Sequence, residues 1–261
     1  MKDPFKKFQA KTYVLICILI MSVPGILEYG YQNTIPQMLL AVLTAGLLDL
    51  LINKLKKGPT YFLPVSGIIS GLIVSTILAP GSVWYIPILG SMLVVFSKNV
   101  LRVKLNNFWN HIFNPANFAL FVLIVLGIGR DAWWIGTNPI LVAVLGLFVL
   151  WRLKKINIVV PFLIFYLLST SVTILFTSSH LPDMQRIFTE ISGGSFLFFM
   201  LIMIQEPMTA PRKQKSRIIF AALVGILGPL FLISPQIGFV SVYLSLIIGD
   251  LLVPLFNKIG I

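Results

Sequence analysis

Charge is scarce in this sequence. Of 261 residues, 11% are charged, against about 25% in a soluble domain. Acidic residues are the scarcest, 8 against 20 lysines and arginines. The single cysteine, Cys17, excludes an intramolecular disulfide and an iron–sulfur cluster held by this chain alone. The two histidines, His111 and His180, fall in an inside and an outside connector, which excludes a bis-histidine haem within this chain. No spacing of histidine, cysteine and carboxylate suits a metal site. A P-loop, a GxGxxG turn and a serine-nucleophile elbow are all missing. Classical catalysis by this chain alone is not expected.

What is present is apolar. Hydrophobic residues make up 57% of the chain, and the mean hydropathy is +0.96. This composition describes an integral membrane protein. The first apolar run follows KDPFKKFQAK without an A-x-A-like cleavage site, so it reads as a retained first span. Ten apolar segments stand out: 12–30, 35–53, 62–79, 84–98, 115–129, 137–151, 157–178, 192–205, 218–234 and 237–257. Threaded alternately with the N-terminus inside, they leave only Arg130 and Arg186 of the basic residues outside. The net charge of +12 therefore reports a positive-inside topology with both termini cytoplasmic. Its natural partner is an anionic inner leaflet, and nucleic acid is not expected. The fold class is all-α, in the cell membrane.

Several segments are shorter than the roughly 20 residues that cross a bilayer. The third, PVSGIISGLIVSTILAP (64–80), and the eighth, ISGGSFLFFMLIMIQEP (191–207), share a Ser-Gly start, a short apolar run and a proline stop. They hold the third position in each set of five. An odd number of spans per half makes residues 1–130 and 131–261 two inverted repeats, and short segments at matching positions point to a midplane site. Residues 64–67 and 191–194 are then expected near the midplane. Tilted helices with glycine packing faces are the alternative. MIQEPMTAP (203–211) closes the eighth segment with an amide, a carboxylate and two prolines. It is expected to line something polar near the inner face.

Ionisable residues in or near spans are few: Glu28, Asp49, Glu206 and Asp250. A carboxylate at membrane depth faces a bundle interior or water. Asp49 and Asp250 are candidates for an ion pathway; the alternative is a cation anchor, with Lys54 and Lys258 the nearest lysines in sequence. Glu28 reads as interfacial. NNFWNHIFNPANFAL (106–120) is rich in amides and aromatics. Asn114 before Pro115 suits a helix cap, yet so many amides also suit the edge of a flat heterocycle.

Taken in order, the Ser-Gly helix ending at Ala-Pro, HIFNPANFAL, IGTNPILVAVLGLFVLWRLKKINIVVPFLIF (135–165), MIQEPMTAP and GDLLVPLFNKIG resemble the NqrB/RnfD family of membrane proteins. That family supplies membrane components to the Rnf complex and to the sodium-pumping NADH:quinone reductase. The resemblance runs over roughly 35–261. It implies about ten spans as two inverted five-helix repeats, similar in fold to urea transporters. It also implies flavin-linked electron transfer coupled to sodium or proton movement, alongside the other components of such a complex. Glu206 stands where the family has an aspartate. The family's covalent-FMN motif, Ser/Thr-Gly-Ala-Thr between spans five and six, is missing from GRDAWWIGTN (129–138). Thr137 follows Ile135 and Gly136, and ISGGS (191–195) has no threonine. Covalent FMN is not expected, and a noncovalent flavin, riboflavin or FMN, is. Ser66, Gly67, Asn114, Ser192, Gly193, Gly194, Gln205, Glu206 and Thr209 are the expected cofactor-binding residues. The alternative is a stand-alone channel or transporter for a riboflavin- or urea-like solute.

Overall fold

In hydrocarbon, a backbone N–H or C=O finds no water, so each must be paired within the protein. Helices satisfy this along their length, and their ends become the problem. The computed structural model describes residues 4–57, 64–105, 108–178 and 184–259. His180 lies outside the described residues, as do Asn106 and Asn107.

Each of the ten expected segments contains a helix. The first half holds α1 (Pro4–Tyr29), α2 (Tyr31–Lys57), α3 (Val65–Ile77), α4 (Tyr85–Asn99) and α5 (Pro115–Val125). The second holds α6 (Pro139–Leu153), α7 (Ile156–Ser178), α8 (Met184–Ser192), α9 (Gly194–Phe198), α10 (Gln214–Leu232) and α11 (Ser241–Ile259). The α9 helix continues through π-helical turns at Phe199–Met203. Among the described residues, 5 helical stretches are long and apolar enough to cross a membrane: Lys11–Tyr29, Tyr31–Lys56, Ile156–Thr177, Gln214–Leu232 and Gly238–Phe256. Exposed apolar residues run down one face of α2 (Ile35, Leu39, Leu43, Leu47, Leu51, Leu55) and of α7 (Ile156, Val160, Ile164, Leu168, Val172). Four-residue spacing keeps each row on one side of its helix, and such stripes are lipid-facing.

Two elements were not visible in the hydropathy pattern. One is α8, a short amphipathic helix just before the Ser-Gly start, with Met184 and Phe188 exposed and Ile187 buried. The other departs from a purely helical chain. Between α4 and α5, strands β1 (Arg102–Leu105) and β2 (Phe108–His111) pair antiparallel. This hairpin marks one end of the bundle, the hairpin face. It gathers basic side chains: Lys56 reaches Asn99, Arg212 reaches Asn110, and Arg217 reaches Asn157.

Part of the neighbour scheme repeats between the halves, although the close packing of α3 on α2 and α4 has no equal at α9. The α2 helix packs on α4, α4 on α5 and α1 on α3; correspondingly α7 packs on α10, α10 on α11 and α6 on α9. Across the halves, α1 meets α6 and α5 meets α11.

The short helices end against protein. Gly67 and Gly71 bring α3 onto α2, where an added Cβ would lie 2.8 Å from Ala45 O and 2.7 Å from Ala41 O. This is small-residue packing of one helix on another. At the other end of α3, Gln37 Nε2 donates to Ser75 O (2.7 Å) and Leu78 O (3.1 Å). The Trp134 indole N–H donates to the same two carbonyls, at 3.1 and 3.0 Å. Backbone N–H groups of Ala132 and Trp133 complete the cap at Ile77 O, at 2.8 and 3.0 Å. The connector between α5 and α6 thus dives into the bundle, with Trp134 1% exposed. Its turn at Trp134–Gly136 also seats α9: a Cβ on Gly194 would lie 1.9 Å from Gly136 O. Gly194→Ala is therefore expected to destabilise by about 2 kcal/mol or more, read as a lowered melting temperature in detergent. Gly46→Ala, whose methyl meets nothing closer than 3.4 Å, should leave it nearly unchanged.

Candidate functional site

The two Ser-Gly starts do not meet. Ser66 and Gly67 lie beside Asp49, toward the hairpin face. Gly193 and Gly194 lie at the opposite face, against the Trp134–Gly136 turn. The α3 helix runs between these levels, and its 13 residues span about 20 Å. The expected residues therefore divide into two groups.

At the hairpin face, α5, α9 and α11 converge. Asn114 caps α5, its side-chain oxygen accepting from Ala116 N and Asn117 N, with Pro115 in the first turn. Its Nδ2 donates to Met203 O at the end of α9 (3.0 Å), and its backbone N–H donates to Asp250 Oδ2 on α11 (2.7 Å). A carboxylate at a helix N-terminus is favoured by the exposed N–H groups and the helix dipole. Asn117 Nδ2 donates to Tyr243 O at 3.0 Å. The Gln205 amide bonds back to Leu201 O. Three oxygens at this junction, Asn117 Oδ1, Gln205 Oε1 and Asp250 Oδ1, are buried without a donor among the described residues. Asn117, Gln205 and Asp250 are each 0% exposed. An orphaned buried acceptor is costly, about 1–3 kcal/mol, and what relieves it is a donor: a water, a proton or a cation.

Glu206 and Thr209 form the turn below. Glu206 O accepts from Thr209 N (3.3 Å) and Ala210 N (3.0 Å). Thr209 lines a space of about 10 Å³ with Asn110, His111, Arg212 and Val253, room for about one water. A flavin does not fit there. Burial, with Lys98, Arg102 and Lys11 nearby, lowers the His111 pKa to about 4. His111 is therefore neutral at physiological pH.

Asp49 differs from Asp250. Its Oδ2 is 3.0 Å from Lys98 Nζ on α4, both side chains under 10% exposed. Asp49 finds its cation in Lys98 rather than in Lys54. The pair sits at the start of α3 and ties three helices.

At the opposite face, the described residues line a half-open cavity of about 290 Å³, at the lower edge of the roughly 300–1,000 Å³ of ligand pockets. Gly193 borders it, with Trp133, Phe162, Tyr166, Phe196 and Phe199. Of the site residues read from sequence, Gly193 is the one lining it. Ser192 instead turns to Thr189 O. Tyr166 OH donates to Glu190, which stands at the edge with Ser195 and Ser245. Trp133, at φ 46°, stacks on Tyr243 at 5.7 Å. Asp131 Oδ2 accepts from both, from Trp133 Nε1 at 2.8 Å and Tyr243 OH at 2.6 Å. The volume and the aromatic walls fit one flat ring system such as the isoalloxazine of a flavin. Thr137 donates its hydroxyl to Trp134 O (2.7 Å) and does not line the cavity.

Sequence reading missed Asp131, Trp133, Tyr166, Glu190 and Tyr243. A signal existed in the connector: an aspartate two residues before a tryptophan pair, in a stretch too short to be a domain.

A multi-pass membrane protein with short, internally capped helices is defined by these features. The sequence pattern of the NQR2, RnfD, RnfE family matches residues 2–127 and 118–260, and the chain belongs to that family. It is similar to the D subunit of the ion-translocating oxidoreductase complex of Aliivibrio salmonicida, 27% identical over 130 residues, 48% of this chain and 36% of that protein. The D subunits of the complexes of the same name from Shigella dysenteriae and Shigella flexneri are 27% and 26% identical over 150 residues, 55% of this chain and 42% of theirs. The matched stretch spans about two fifths of the length of these curated relatives.

Two outcomes follow from the hairpin face. Lys98→Met alone should destabilise by about 3–5 kcal/mol, by stranding a buried carboxylate; adding Asp49→Leu should recover most of the loss of melting temperature. His111 takes a proton at about pH 4 when folded and near 6.5 when unfolded. Stability should be constant above pH 6.5 and fall as pH drops toward 4. Thermal melts across that range should show a weaker fall in His111→Gln.

Proposed function

We propose that this chain is a D-like membrane component of an ion-translocating oxidoreductase complex, working beside other Rnf- or Nqr-like subunits. Membership of the family across nearly the whole chain carries this reading. Relatives bearing the name of such a component support it. The stand-alone channel gains no support from them. In this reading the two halves, 1–130 and 131–261, are inverted repeats, as their shared neighbour scheme favours. The basic hairpin face is cytoplasmic, with both termini on that side of the cell membrane.

Asp250 lies on the ion path. Unlike Asp49 it has no cation partner among the described residues, and one of its oxygens is free to accept. Asn117 and Gln205 offer two more acceptors at the same junction. A flavin bound without a covalent link would take the aromatic cavity at the opposite face and supply one- and two-electron transfer there. Trp133, Tyr166 and Phe196 would hold its ring. Glu190 would accept from an N–H on its edge, and the ring cluster would keep water away.

Asp250→Asn keeps an acceptor for the Asn114 N–H while removing the charge. In the assembled complex it is expected to cut ion uptake about tenfold, about 1.4 kcal/mol, with assembly intact. Unchanged uptake would reduce Asp250 to a cap for α5. For the flavin, absorption spectra of the purified chain before and after denaturation and filtration should show flavin bands that leave with the filtrate. Bands that stay with the chain, or none at all, would sink the noncovalent assignment.

A further inference from the structure

The starts of α7 and α10 lie side by side at the hairpin face. The helices run parallel and in step: Arg217 Nη1 donates to Asn157 Oδ1 at 3.4 Å, and Ser169 Oγ donates to Ile226 O at 2.9 Å. Two helix N-termini therefore point the same way from neighbouring positions. The first N–H groups of each have no partner within their helix, and both dipoles place partial positive charge there. Neither first turn contains an acidic residue.

Lys155, just ahead of α7, adds a full charge. It is 9% exposed, and among the described residues it has no hydrogen-bond or ion-pair partner. Burial lowers the Lys155 pKa to about 8, and repulsion from another cation, Arg217, adds to the effect. Arg217 spends its Nε on Pro211 O (3.0 Å) and Nη1 on Asn157, with no carboxylate partner among the described residues. A buried, unpaired lysine beside an arginine and two helix N-termini is complementary to an anion with several acceptor oxygens.

The surroundings say where that anion comes from. Trp151 and Ile156, on either side of Lys154 and Lys155, are 69% and 63% exposed, and Ile218 and Ile219 beyond Arg217 are exposed as well. The exposed apolar stripe of α7 begins at Ile156. The site thus sits where lipid tails give way to headgroups, with Trp151 as an interfacial aromatic.

We propose that Lys155 and Arg217, with the paired N-termini of α7 and α10, form a binding site for the phosphate of an anionic lipid headgroup. Phosphate oxygens accept from the ammonium and guanidinium and neutralise both cations. The acyl chains then lie along the exposed stripe of α7.

The test uses the full chain, purified in neutral detergent and stripped of lipid. Dioleoylphosphatidylglycerol, dioleoylphosphatidylcholine or inorganic phosphate is added, and labelling of Lys155 by an amine-reactive reagent is read by peptide mass spectrometry. Bound lipid is counted by native mass spectrometry. Phosphatidylglycerol is expected to protect Lys155 and phosphatidylcholine to protect it less. Lys155→Gln should weaken phosphatidylglycerol binding about tenfold, Lys155→Arg should restore it, and Lys56→Gln at the exposed end of α2 should leave it unchanged. Equal protection by inorganic phosphate would support the phosphate chemistry and assign the source to free phosphate. Lys155 labelling indifferent to every addition would overturn the proposal. So would equal lipid loss in Lys155→Gln and Lys56→Gln, or protection that appears only when partner subunits are added. The labelling of the unmodified chain decides the matter even where a variant fails to fold.

Discussion

Pairing of backbone groups at helix ends is the constraint on which this structure depends. A membrane protein built only of long spans settles its helix ends in water or headgroups. Here α3, α5 and α9 are too short for that, and their ends fall among other helices. Each solution uses a different chemistry. Gln37 and the Trp134 indole close the end of α3. Asn114 and Asp250 close the start of α5. Glycine on glycine lets α9 begin against the backbone of a turn. Take away one of these, and a group that cannot find water is left in a low-dielectric interior.

The same requirement separates the carboxylates by role. Asp49 is neutralised by Lys98 and holds α3 in place. Asp250 spends one oxygen on a helix N-terminus and keeps the other. They looked alike in sequence, each a lone aspartate in a leucine-rich run. Only the partner supplied by a distant helix tells them apart, 49 residues away in one case and 136 in the other.

Much of the architecture was legible in the chain because hydropathy and basic residues report the solvent directly. The ten apolar segments, the short third and eighth, and the break around Gly193 all follow from where carbon and charge are placed. The Asn114–Pro115 cap was legible for the same local reason. The cavity was not. Its walls come from α7, the α9 start, α10, α11 and the connector, and its residues are aromatics of a kind that fills any apolar core. Glu190 fell between segments, in a helix too short for a hydropathy window. Lys155 looked like one more positive-inside residue, since burial of a single lysine leaves no trace in a charge count. The expected pocket joined the two Ser-Gly starts because their sequences match. In three dimensions matching starts belong to opposite faces, since α3 and α9 run in opposite directions.

Trp133 and Trp134 are consecutive, yet they serve different places. The first lines the aromatic cavity and the second holds the end of α3. One peptide bond separates a wall of the second half from a cap of the first. Peptide planarity leaves that joint only two soft torsions, and Trp133 already occupies the left-handed region. The backbone that presents Trp133 to the cavity is therefore the same backbone that sets the cap of α3.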